Sequence, residues 1–141
     1  MMRFVLDSSF TMAWAFPEER TGRVESVLND LLDERAEALT SPLWFYEVTN
    51  VLIVGERRKR LTQIQSAKFV ELLESLPINI SDAPLSDVFS EAAALARQYT
   101  LSAYDASYLR IAIEEGLPLA TLDSAMQKAA ASAGVAVLGA K

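Results

Sequence analysis

The chain has 141 residues, 51% apolar and 23% charged, with a formal charge of −6 at pH 7. That is the size and composition of one packed domain, able to bury about 70% of its unfolded surface, and not of a disordered segment. It contains no histidine and no cysteine, which removes disulfides, thiol nucleophiles, His/Cys zinc sites and Ser-His-Asp triads, leaving carboxylates, hydroxyls, amines or a hard metal held by oxygen.

The apolar run Phe4-Val5-Leu6 stops at Asp7-Ser8-Ser9. It reads as a buried strand, Arg3 to Leu6, feeding a helix start, and it is too short for a signal peptide. Phe10 to Phe16 is expected to be a short helix ended before Pro17. Val24, Val27, Leu28, Leu31 and Leu32 form a helical stripe over Thr21 to Ala36. Ala38 to Thr40 reads as a brief strand, and Ser41-Pro42 as a cap and first position for a helix to about Arg58.

Thr62 to Ser75 is amphipathic, and Pro77 leads into a strand, Ile78–Ile80. Leu85 to Tyr99 and Ser102 to Glu115 are helical, the second opened by the capping-box pattern Ser102-x-x-Asp105 and closed by Gly116. Leu119 to Thr121 is a strand, Ser124 to Ala131 a helix, and Val135–Leu138 a last strand. The longest uncharged stretch, Ala129 to Ala140, falls short of the roughly 18 residues a membrane helix needs. The expectation is a soluble, cytoplasmic protein with no membrane partner. Short apolar strands alternating with helices predict a single α/β domain over 1–141, a three-layer α/β/α sandwich on a mainly parallel five-stranded sheet.

Ligands of such sheets sit beyond the carboxyl ends of the strands. Asp7 follows the first strand and Asp123 lies two residues past Thr121, at the end of the fourth. Glu47 and Asp105 fall early in the helices that follow Ser41 and Ser102. If those helix starts face the same rim, four carboxylates converge, a donor set suited to Mg²⁺ or Mn²⁺. Each also has a plain structural reading. Asp7 and Asp123 suit N-caps, and Asp105 suits the reciprocal member of a capping box. Glu47 is harder to explain so, because it stands within the apolar Leu43-Trp-Phe-Tyr-Glu-Val segment.

Three segments carry a more specific signal: FVLDSSFTMAWAFPEE, WFYEVTNVL and YDASYLRIAIEEGLPLATLD. In this order they closely resemble three blocks of the PIN-domain family, nearest its branch of VapC-type toxins of type II toxin–antitoxin pairs. The resemblance runs from Arg3 to about Leu138. It implies a PIN-like fold and a Mg²⁺-dependent (Mn²⁺ also serving) endoribonuclease hydrolysing RNA phosphodiester bonds. The acidic site then matches Asp7, Glu47, Asp105 and Asp123, with Thr121 as an accessory hydroxyl and Asn50 as a support beside Glu47. It further implies a homodimer and a cognate antitoxin. Relatives often place Arg or Lys after the last acid, whereas Ser124-Ala125 stands here.

Arg57-Arg58-Lys59-Arg60 holds four of the thirteen basic residues. It reads either as a phosphate-binding patch or as a basic helix end favouring the dipole. Trp14, Phe16, Trp44, Phe45 and Tyr46 are expected mostly in the core, some at a partner surface. A receiver domain is excluded by the lack of a suitably placed lysine, and a haloacid-dehalogenase-like phosphatase by Ser9 where a second Asp is needed. The remaining alternative is a non-catalytic PIN-like interaction module.

Overall fold

The computed structural model describes residues 1–139. Its first strand, β1 (Met2–Leu6), is flanked on both edges. On one side β2 (Ala36–Thr40) pairs with it from Met2–Ala36 to Val5–Leu39, and on the other β4 (Leu119–Ala120) pairs Val5 with Leu119 and Leu6 with Ala120. This central position is why Phe4, Val5 and Leu6 are fully buried, as continuous apolar runs in parallel sheets generally are. Strand β3 (Ile78–Ile80) extends the sheet beyond β2, and β5 (Val137–Leu138) extends it beyond β4. The order is β3-β2-β1-β4-β5, all parallel, with helices flanking the sheet as expected.

The helices follow the apolar pattern with informative departures. Helix α1 (Ser8–Ala13) ends earlier than Phe16, and Pro17–Glu19 forms a separate 3₁₀ turn. Thr21 caps α2 (Gly22–Leu32), whose stripe Val24, Val27, Leu28 and Leu31 is buried. The expected extension to Ala36 fails because Ala36 already belongs to β2. Ser41 does not cap the next helix. Its carbonyl accepts from Trp44 N–H (2.9 Å) and its hydroxyl from Leu43 N–H (3.2 Å), a turn that delays α3 (Trp44–Arg57) by two residues.

Helix α4 (Gln63–Ser75) opens with a true capping box between Thr62 and Gln65. The expected Leu85–Tyr99 helix is one run in three pieces, α5 (Leu85–Asp87), a π-helical turn at Val88–Ala92 and α6 (Ala93–Tyr99). Next come α7 (Ala103–Glu115), which packs on β1, and α8 (Ser124–Ser132). Of the five aromatics expected mostly inside, Trp14, Phe16 and Trp44 are buried, while Phe45 and Tyr46 are exposed. Both indoles find acceptors, Trp14 on the Val24 carbonyl and Trp44 on the Thr11 hydroxyl, each at 2.9 Å. Among the described residues no helix is long and apolar enough to cross a membrane.

The strand order has one consequence for the site. The chain leaves β1 toward β2 on one side and later returns as β4 on the other. The carboxyl ends of β1 and β4 therefore border the switch-point crevice in which α/β sheets bind ligands.

Candidate active site

Asp7 is the first residue past β1 and the N-cap of α1. Its Oδ1 accepts the Phe10 N–H at 3.0 Å and the Ser9 hydroxyl at 2.8 Å. The end of β4 is tied to it through hydroxyls. Ser9 Oγ lies 3.3 Å from Thr121 Oγ1 and accepts the Leu122 N–H at 3.0 Å, and Thr121 Oγ1 accepts the Asp123 N–H at 3.2 Å. Asp123 in turn caps α8 through the Ala125 N–H at 3.1 Å. The cap reading and the site reading thus coexist at Asp7 and Asp123, since capping occupies Oδ1 and leaves each second oxygen without a backbone donor.

The other two acids arrive on helices. Glu47 lies in the first turn of α3 and Asp105 in the first turn of α7. Ser102 caps α7 by accepting the Asp105 N–H at 3.0 Å, but the reciprocal half of the expected capping box does not form. Cross-links between rim segments hold these helix starts to the sheet. Thr40 donates its hydroxyl to the Leu6 carbonyl (2.7 Å), and Ser107 donates to Ser41 Oγ (2.9 Å). Tyr108, buried on α7, donates its hydroxyl to Glu47 Oε1.

Two of these residues, Ser9 and Tyr108, carry no site signal of their own in the sequence pattern. In the sequence Ser9 belongs to a helix start and stands where a haloacid-dehalogenase-like phosphatase needs an Asp, although a hydroxyl two residues past a strand-ending acid is placed to bond back to it. Tyr108 lies three positions after Asp105, hence on the same helical face, and that spacing was its signal. Asn50, expected to support Glu47, is exposed and makes no such bond among the described residues.

The electrostatics link the acids in sequence around the rim. Burial raises the Asp7 carboxyl from 3.8 to about 6, incompletely offset by the Thr121 hydroxyl, the Phe10 N–H and the Ser9 hydroxyl, and Asp105 raises it further. Asp105 is itself raised, first by burial and then by Asp123. Burial, then Glu47 and Asp7, push the Tyr108 phenol above its ordinary value, so it stays a donor at neutral pH. No ion pair among the described residues involves Asp7, Glu47, Asp105 or Asp123.

An all-oxygen set of uncompensated carboxylates, one of them buried at an energetic cost, fits a hard divalent cation. Among the described residues no three acids stand close enough to enclose an ion. They line a rim rather than a cage, so a Mg²⁺ ion there would be held by only one or two of them, together with water and substrate oxygens.

Comparison with known proteins agrees with this architecture. The PIN domain family model matches residues 4–132. Ribonuclease VapC3 of Pyrobaculum aerophilum is 31% identical over 122 residues, covering 86% of this chain and 90% of that protein. Among solved structures, PAE2754 from the same organism superposes with a TM-score of 0.67 at 23% identity, covering 91% of this chain and 86% of that one. VapBC2 from Rickettsia felis, bound to a DNA fragment from its promoter, gives a TM-score of 0.65 at 15% identity, covering 96% and 97%.

Proposed function

Because the chain belongs to the PIN-domain family, we propose that it is a Mg²⁺- or Mn²⁺-dependent endoribonuclease acting as the toxin of a toxin–antitoxin pair. The observation that carries this reading is the set of carboxylates without ion-pair partners at the switch point of the sheet, with a buried Asp7 whose hydrogen bonds only partly offset the cost of its charge. Asp7, Glu47, Asp105 and Asp123 supply the candidate ligands, and one or two of them, together with water and substrate oxygens, would hold the ion. Bound there, it supplies Lewis acidity toward a phosphodiester and lowers the pKa of water.

The remaining steps belong to this chain's own groups. Ser9 and Thr121 hold the ends of β1 and β4 in one hydrogen-bonded unit, which fixes Asp7 relative to Asp123. Tyr108 orients Glu47 by donating to it and, remaining protonated, takes no part as a base. Such outer supports commonly matter 10–100-fold for metal affinity or activity. An antitoxin partner is in keeping with the named relatives, and a homodimer completes the reading.

The decisive experiment assays purified protein on a panel of structured RNAs with Mn²⁺, with Mg²⁺ and with EDTA. Cleavage is expected only with metal, and Asp7→Asn or Asp105→Asn should remove it while leaving the fold intact. Equal cutting by parent and both variants would defeat the site. Metal binding and cleavage both absent, with an antitoxin still bound, would leave the interaction-module reading.

A further inference from the structure

Beside Asp123 a hollow of about 460 Å³ opens between α1, the end of α3 and the loop after β4, lined by Ser8, Ser9, Glu19, Arg60 and Asp123 with apolar neighbours. Arg60 is the only base among its described lining residues. Ser124-Ala125 supply none just past the last acid. We propose that Arg60 grips a phosphate of the RNA strand entering the acid rim, a role that rests on the ribonuclease reading.

The local sequence presents this side chain. Helix α3 stops as Lys59 turns to φ 59°, and the N–H groups of Arg60 and Leu61 both return to the Gly55 carbonyl, at 2.8 and 3.3 Å. A Cβ at Gly55 would lie 3.2 Å from Leu61 and 3.6 Å from Phe16, so glycine lets these two side chains close up. The Arg60 guanidinium rests over the Phe16 ring, 3.9 Å from its centroid, and pairs with Glu18 and, at 3.5 Å, with Glu19. A guanidinium offers five donors in a fixed fork, so an edge held by glutamates leaves others for a phosphate. Arg57, Arg58 and Lys59 do not line the hollow. The expected four-residue patch thus reduces to one pre-oriented base, with Glu18 and Glu19 both ordering it and competing for it.

Binding of a fluorescent single-stranded RNA to the full chain in EDTA, across a salt series, tests this without relying on catalysis. Arg60→Gln should weaken binding on the order of tenfold and flatten the log–log salt slope by about 0.7. Arg57→Gln and Arg58→Gln should stay within about twofold. Joint Glu18→Gln and Glu19→Gln should tighten binding roughly fivefold, and Arg60→Gln added to them should abolish that gain. With Mn²⁺ present, Arg60→Gln should raise KM more than it lowers kcat.

Parental affinity and slope in Arg60→Gln overturn the proposal, as does a glutamate-variant gain that survives Arg60→Gln. Should Arg60→Gln fail to fold, the glutamate pair decides alone, and no gain in affinity there overturns the assignment. Unchanged Arg60→Gln beside a parent that cleaves RNA removes only this assignment. A parent that neither binds nor cleaves RNA removes the ribonuclease reading with it.

Discussion

Asp7→Asn should make the metal-free protein more stable at neutral pH, although it removes a residue of the proposed site. The folded state raises the Asp7 carboxyl from 3.8 to about 6, chiefly by burial. Its folded value lies above its unfolded one, so the folded state holds the proton more tightly. Stability is therefore fully present below about pH 4, falls as pH rises toward 6, and stays low above. The difference corresponds to about 3 kcal/mol against the ionised folded form.

Asparagine keeps an oxygen for the Phe10 N–H and the Ser9 hydroxyl but carries no charge. Its amide must still be desolvated, so the expected gain is about 1–3 kcal/mol at pH 7.5, or about 3–10 °C in Tm for a chain this size. Thermal melts in EDTA from pH 4 to 8 should show parent and variant close together at the acid end and diverging through pH 6. Added Mn²⁺ should raise the parent's Tm and narrow the gap, since the ion binds the folded state and the variant has lost a ligand. A variant that is less stable at pH 7.5, or an offset independent of pH, would refute the burial argument.

Three further outcomes follow. Tyr108→Phe removes the donor to Glu47, and calorimetric titration with Mn²⁺ should show a 10–100-fold weaker affinity with Tm little changed; unchanged affinity would make the bond merely structural. Ser9→Ala orphans the Leu122 N–H and one support of Asp7, and urea unfolding should record a loss of about 1–2 kcal/mol together with reduced cleavage. Gly139→Ala should destabilise by about 1–3 kcal/mol in the same assay. Gly139 has φ +111°, and its added Cβ would fall 2.9 Å from Phe10 and 3.0 Å from the Thr121 carbonyl; a neutral result would disprove the crowding there.

The sheet and the rim positions were legible because they rest on local patterns. A buried parallel strand is an apolar run, as Phe4-Val5-Leu6 shows, and the first acid past it must stand at the carboxyl end, as Asp7 does. Glu47 stood out as a carboxylate in an apolar segment; that segment is not buried as a whole, since Phe45 and Tyr46 are exposed and Glu47 is half-buried, but Tyr108 does supply Glu47 a partner. Element ends were less legible. Ser41-Pro42 suits a cap, yet the backbone spent Ser41 on a turn, a choice set by how the end of β2 meets α3.

By itself the sequence determined the chemistry that was possible, since no histidine or cysteine leaves carboxylates to do the work, and it determined the alternation of strand and helix that brings their backbones to one rim. Only the tertiary structure decided that Ser9, bonded to Asp7, meets Thr121 across 112 residues, that Tyr108 reaches Glu47 across 61, and that Arg60 alone of its basic run faces the hollow. The physical reason is range. Periodicity and capping act over a few neighbours, whereas a hydrogen bond between distant segments exists only after packing fixes their separation to a few tenths of an ångström.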